Sequence, residues 1–252
     1  MAVEILGPIQ IRSGASTAVP TPRLARLLLG LLALRANQSV PREFIVQALW
    51  GGQPPASAAA NLRGYVTQLR RLLPSRTGGG VEICVDRAGY RLRADAASVD
   101  AASFMARVAG ARAFAKAGDT GRALDEFAGA LRLWRGPVFA GDQVPEPLQA
   151  EVNALQMRRL DVLEDWMDAR LEAADHQAMC PELAVLTSGS PLREKLYGQL
   201  MLALSRCGRQ GEALEVYRQL RQRLRDELGI DPSRQLQQLH QGLLRGDAMP
   251  QF

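Results

Sequence analysis

Lysine is absent from the first 95 residues of this 252-residue chain, and acidic residues are scarce there. That segment carries twelve arginines against five Asp plus Glu, a net charge of +7, whereas residues 96–252 sum to −2. No acidic residue at all occurs between Trp50 and Val81. Cysteine is sparse. Cys84, Cys180 and Cys207 stand far apart with no CxxC, which excludes a disulfide framework and leaves reduced, mostly buried thiols as the expectation. The two histidines give no metal site. His176 and Cys180 are four apart, but no further pair lies nearby and a site needs about four ligands. No metal and no cofactor are expected. The longest apolar run, Leu27–Leu34 between Arg26 and Arg35, falls far short of the roughly 20 residues that span a bilayer. No leader-like segment opens the chain, so a cytoplasmic location is expected. GxSxG, GxxxxGKS/T and HExxH are all missing, and the chain does not read as an enzyme. Gly78–Gly80 lies between a helix and a strand, the wrong context for a phosphate loop.

What is present is a basic domain joined to a near-neutral one. Arginine's forked donors suit phosphates and guanine edges, although GC-rich coding also favours arginine. The chain opens on short strands, with Val3 and Ile5, then Ile9 and Ile11, alternating around Gly7-Pro8. A mostly apolar helix follows "PTPRLARLLLGLLAL", with Thr21 as its cap and Pro22 in its first turn. A second begins near Pro41, places Phe44, Ile45, Ala48 and Leu49 on one side and stops at Gly51-Gly52. "QPP" makes a rigid loop before a third helix, Ser57–Leu73. "VEICV" and "YRLR" then alternate as a hairpin around "DRAG", with Val81, Ile83 and Val85 on one face and Tyr90 and Leu92 inward.

From about Val99 the pattern is helical. Ala115–Phe127 and Ser205–Tyr217 align at an offset of 90: Gly118 with Gly208, Gly121 with Gly211, Ala123-Leu124 with Ala213-Leu214, Phe127 with Tyr217. This is the grammar of tetratricopeptide-like helical hairpins, which stack into protein-binding surfaces. Chance likeness among Ala-Leu-rich helices is the alternative.

On a helical wheel Leu62, Val66, Leu69 and Leu73 share one sector. The opposite side holds Arg63, Thr67, Arg70 and Arg71, with Ala60 and Gly64 keeping it slim enough for a groove about 12 Å wide. A solvated arginine face is the bland reading, but such faces commonly carry Glu three or four residues away, and here none does. The hairpin follows directly with Arg87 at its turn and Arg91 and Arg93 on its outer side. A helix-turn-helix followed by a hairpin is a winged helix, whose second helix enters the major groove. Solubility at an exposed edge is the alternative for the hairpin arginines.

"ILGPIQI", the stretch from Arg23 to Leu73 and "AGYRL" resemble the OmpR-type winged helix of the Streptomyces antibiotic regulatory proteins. "LWRGPVFAG", the stretch from Ser190 to Ser233 and "LQQLHQGLL" are similar to that family's bacterial transcriptional activation domain. The fold implied is mainly α: a winged helix-turn-helix (α+β) over 1–95, then an all-α, tetratricopeptide-like activation domain over 99–246. The resemblance implies a pathway-specific activator of a secondary-metabolite gene cluster. It would bind direct repeats in double-stranded promoter DNA as side-by-side protomers, without membrane association. It would recruit RNA polymerase holoenzyme including its sigma factor. Ser57–Leu73 would be the recognition helix, with Arg63, Thr67 and Arg71 at or near bases and Gln68 and Arg70 at phosphate or groove edge. Arg87 would sit at the wing, and Arg23, Arg26 and Arg42 near helix starts that suit phosphate. Gly51, Gln53, Pro54 and Pro55 would face polymerase, with Trp50 more in the core than in contact. The chain has the look of a small two-domain member with no receiver domain. Pro181 is expected to interrupt the middle repeat. A helical scaffold whose basic domain binds acidic protein is the competing class.

Overall fold

A computed structural model of the chain describes residues 1–73 and 80–246. They form two compact units, Met1–Arg112 with Glu126–Leu160, and Ala113–Asp125 with the segment from Asp161 onward. Part of the expected "SRTGGG" turn lies outside the described residues.

The first unit opens with strands β1 (Ala2–Glu4), β2 (Gln10–Ser13) and β3 (Ser16–Ala18), an antiparallel sheet in that order. Helix α1 (Arg23–Leu34) follows, and Leu27, Leu28, Leu29, Leu31 and Leu32 are all buried. Its leucines cover most of its circumference and it packs against α2, α3 and β6, as its apolarity on most sides predicts. It starts one residue later than expected. Pro22 is extended, and its carbonyl accepts from the Arg26 N–H, so the proline caps the helix with no side-chain cap. Strand β4 (Val40–Pro41) leads into α2 (Arg42–Trp50) and then α3 (Ala58–Leu72). Strands β5 (Glu82–Val85) and β6 (Gly89–Arg93) form the hairpin, and the second sheet runs β4-β6-β5. Gly89 is required there: a Cβ on it would collide with the Val40 carbonyl of β4. Tyr90 and Leu92 face the core, as do Val81 and Ile83, but Val85 at the hairpin end is half exposed.

The same unit includes the start of α4 (Asp100–Lys116), the end of α5 (Thr120–Leu131) and the first part of α6 (Glu146–Glu172). Phe104 and Trp134 meet edge to face at 5.4 Å. The buried Asp100 carboxylate accepts the N–H groups of Ile5, Leu6 and Ala101 at 2.8–2.9 Å, anchoring the chain start to α4. Burial raises its pKa to about 6, against the pull of those N–H groups and of Arg135.

The second unit is helical: the remainder of α4–α6, then α7 (His176–Gly189), α8 (Glu194–Arg206), α9 (Gln210–Leu228) and α10 (Arg234–Arg245). Its core gathers Met167, Met179, Leu183, Leu196, Met201, Ala213, Tyr217, Leu220 and Leu236. The two turns aligned in sequence are alike in structure. Gly118 and Gly208 are both left-handed, and the next N–H reaches back five residues, Asp119 to Phe114 O and Arg209 to Leu204 O, at 3.0 and 2.9 Å. Ala123 and Ala213 are fully buried. The α6–α7 turn repeats this geometry with Ala174 left-handed and Asp175 N bonded to Arg170 O. Pro181 does not interrupt the middle repeat. It lies in the second turn of a continuous α7, where its missing N–H costs a single helical bond.

Candidate nucleic-acid interface

Helix α3 buries Leu62, Val66 and Leu69, with Leu73 just past its end, and exposes Ala59, Ala60, Arg63, Gly64, Thr67, Arg70 and Arg71. Each buried leucine contributes about 1.5–3 kcal/mol, so the stripe fixes which face is turned outward. Gln68 is half-buried at the margin. Tyr65, also at the margin, stacks with Trp50 at 6.3 Å, and Trp50 is half-buried. Thr67 Oγ1 donates to the Arg63 carbonyl at 2.9 Å, which orients its methyl and hydroxyl on the outer face.

The wing tip is held by one carboxylate. Asp86 accepts Ser39 Oγ at 2.7 Å, the N–H groups of Ala88 and Gly89 at 3.0 Å and Arg91 Nη2 at 2.9 Å. These donors, the Ser39 hydroxyl foremost, hold its pKa below the usual carboxylate range. Arg93 pairs with Glu82 across the hairpin. Arg87 projects from this braced turn, exposed.

The arginines thus divide. Arg63, Arg71 and Arg87 are exposed and have no hydrogen-bond or ion-pair partner among the described residues. Arg42 is exposed with its guanidinium 5.7 Å from the Tyr90 ring, and Arg23 reaches the Gln143 carbonyl at 3.3 Å. Arg26 is engaged on every side: Nε and Nη2 pair with Asp142, and Nη1 donates to the Pro20 carbonyl. Arg70 sends Nε and Nη2 to the Ile83 carbonyl of β5 at 2.9 and 2.7 Å. Arg35 pairs with Glu151 and lies over the Phe44 ring. Gly51, Gln53, Pro54 and Pro55 are all exposed in the loop between α2 and α3.

Sequence reasoning missed the partners rather than the arginines. Asp142 and Glu151 lie 116 residues from Arg26 and Arg35, and no local pattern links them. Ser39 and Asp86 had a local signal, a turn-forming Asp before a glycine, but their pairing needs the sheet order β4-β6-β5.

A helix-turn-helix with a braced hairpin, ahead of helical-hairpin repeats, is the architecture of a winged-helix transcription regulator. Residues 17–92 match the family described as "Transcriptional regulatory protein, C terminal", and residues 99–244 match the "Bacterial transcriptional activator domain". The chain is 35% identical over 253 residues to regulatory protein DnrI of Streptomyces peucetius, covering 98% of this chain and 93% of that one. It is 34% identical to transcriptional regulator RedD of Streptomyces coelicolor, covering 97% and 71%. It is 39% identical to regulatory protein AfsR of the same species, but spans 24% of that longer protein. Among solved structures, Mycobacterium tuberculosis EmbR in complex with a low-affinity phosphopeptide superposes with a TM-score of 0.92 at 30% identity, over 99% of this chain and 66% of that one. The chain belongs to the Streptomyces antibiotic regulatory protein family of DNA-binding transcriptional activators. Among the described residues, no helix is long and apolar enough to cross a membrane.

Proposed function

We propose that this protein is a cytoplasmic, pathway-specific activator of a secondary-metabolite gene cluster, bound to nucleoid DNA when active. It reads promoter DNA with α3 and the β5–β6 wing. The observation that carries this reading is the division of the arginines. Among the described residues, Arg63, Arg71 and Arg87 have no ion-pair partner on one helix face and one hairpin tip, while Arg26, Arg35, Arg91 and Arg93 each face a carboxylate. Unpaired arginines beside a slim helix face suit phosphates and guanine edges. Arg63, Thr67 and Arg71 read bases, with Gln68 at the groove edge. Arg87 grips the backbone beside the wing, and Arg23 and Arg42 add phosphate contacts.

In this reading residues 1–95 carry DNA recognition and residues 99–246 carry activation. Two protomers lie side by side on direct repeats near the promoter. The exposed loop with Gly51, Gln53, Pro54 and Pro55 meets RNA polymerase holoenzyme, including its sigma factor. Relatives named as regulatory proteins of Streptomyces support the assignment.

The test is footprinting of the full chain on its own gene cluster, with a salt titration of the protected site. Protection of a repeated sequence is expected, with log affinity falling by about 0.9 per log salt for each phosphate contact. Salt-insensitive binding, or equal affinity for any DNA, would favour the protein-scaffold alternative.

A further inference from the structure

Arg70 stands apart from the other arginines of α3. It sits on the same outer side as Arg71, yet two of its donors converge on one neutral acceptor, the Ile83 carbonyl. Strand β5 is the edge of its sheet, paired to β6 on one side only. Its outer carbonyls therefore lack a strand partner, and a buried edge carbonyl without a donor is costly. Ile83 itself is 4% exposed, so its carbonyl is embedded at the junction of helix and wing. The Arg70 guanidinium fills that requirement with a two-point fork, a geometry an ammonium cannot reproduce.

Within the hairpin, Arg91–Asp86 and Arg93–Glu82 brace strand against strand, and Ser39–Asp86 ties the tip back to the start of β4. None of these joins the wing to the helix. The Arg70–Ile83 fork is a polar tie between α3 and β5–β6. Buried Leu69, Leu73, Val81 and Ile83 supply non-directional burial on either side of it. Apolar contact sets distance, and the forked hydrogen bond adds direction.

We propose that Arg70 is a positioning residue, a strut that fixes the angle of the wing on the recognition helix, and not a phosphate ligand. This rests on the reading of α3 and the wing as the DNA-contacting elements. In this role Arg70 governs where Arg87 lands relative to Arg63 and Arg71, and so couples the two halves of the interface.

The test uses the full-length chain with Arg70→Gln and Arg70→Lys. Hydrogen exchange without DNA comes first. Both variants are expected to raise amide exchange of residues 82–93 about tenfold while leaving α1 unchanged, because lysine keeps the charge but loses the fork. On DNA, Arg70→Gln and Arg70→Lys are expected to share one salt slope, at most about 0.9 below the wild type, because both loosen the Arg87 backbone contact. Arg87→Ala should then cost several-fold less in the Arg70→Gln background than in the wild type, since the wing has already lost its aim. Unchanged hairpin exchange in both variants would overturn the strut. So would a salt slope smaller by about 0.9 in Arg70→Gln and restored in Arg70→Lys, the signature of a phosphate contact. Should the wild type show no sequence-selective binding, the DNA reading fails while the exchange result still decides the strut.

Discussion

Arg26 and Asp142 face each other as a two-point pair, Nε 2.6 Å from Oδ2 and Nη2 2.6 Å from Oδ1. The Asp142 side chain is 3% exposed and that of Arg26 20%, so the buried carboxylate relies on Arg26 for its pairing. The pair raises the Arg26 pKa and keeps it cationic. The position near the start of α1 suggested a phosphate contact, but each of the three guanidinium nitrogens already donates to a protein acceptor. Arg26→Ala should lower stability by about 2–3 kcal/mol, because it strands a buried carboxylate. Urea denaturation measures this. The DNA salt slope of the folded variant should match the wild type, and a slope smaller by about 0.9 would return Arg26 to the phosphate set.

Among the described residues, Arg63 and Arg71 are the exposed arginines of α3 without a hydrogen-bond or ion-pair partner. If Arg71 reads a base edge, Arg71→Ala should cost about 1–3 kcal/mol on the cognate repeat and much less on random DNA. Fluorescence anisotropy on both DNAs at one salt concentration separates the outcomes. Equal losses on the two DNAs would make Arg71 a backbone contact.

Much of this was legible in the sequence because it is local. The apolar stripe of α3, the inward Tyr90 and Leu92 and the matched turns at Gly118 and Gly208 all follow from periodicity and turn chemistry within a few residues. What was not legible is what pairs across long sequence distance. Arg26, Arg70 and Arg87 look alike as letters. Only the fold brings Asp142 to the first and the Ile83 carbonyl to the second, leaving the third exposed. Pro181 failed as a breaker for a similar reason, since a core containing Met179, Cys180 and Leu183 outweighs one missing helical bond.

Asp100 gives the first unit a pH signature. Its pKa is about 6 in the fold against an ordinary 3.8, so between those values the folded chain binds more protons than the unfolded one. Its contribution to stability is therefore fully present below about 3.8 and is lost as pH rises through about 6. Asp100→Asn removes that titration. The stability difference between wild type and Asp100→Asn should shift against the wild type by about 2 kcal/mol from pH 4.5 to 7, read from urea midpoints. A shift in the opposite direction would show that the three N–H donors outweigh burial.

The loop between α2 and α3 offers exposed Gln53, Pro54 and Pro55 just ahead of α3. If it meets polymerase, Gln53→Ala with Pro54→Ala should leave promoter affinity within about twofold, or about 0.4 kcal/mol. Activated transcription in a reconstituted assay should fall markedly. Undiminished activation would remove the loop from the contact set.

The α6–α7 turn carries a strain that its sister turns avoid. Ala174 has φ 61°, where Gly118 and Gly208 have 78° and 76° in the same backbone pattern, and Ala174 and Gly208 are 34 residues apart, the period of a tetratricopeptide repeat. A Cβ at Gly118 or Gly208 would meet nothing within 4 Å, so residue choice in this turn is governed by the backbone and not by packing. A left-handed alanine costs about 1 kcal/mol relative to glycine, partly offset by glycine's greater freedom when unfolded. Ala174→Gly should therefore stabilise the second unit by about 0.5–1 kcal/mol, seen as a raised thermal midpoint. Gly208→Ala should destabilise by a similar amount. Matching signs in the two variants would mean that contacts beyond the turn, and not its left-handed residue, set the energy there.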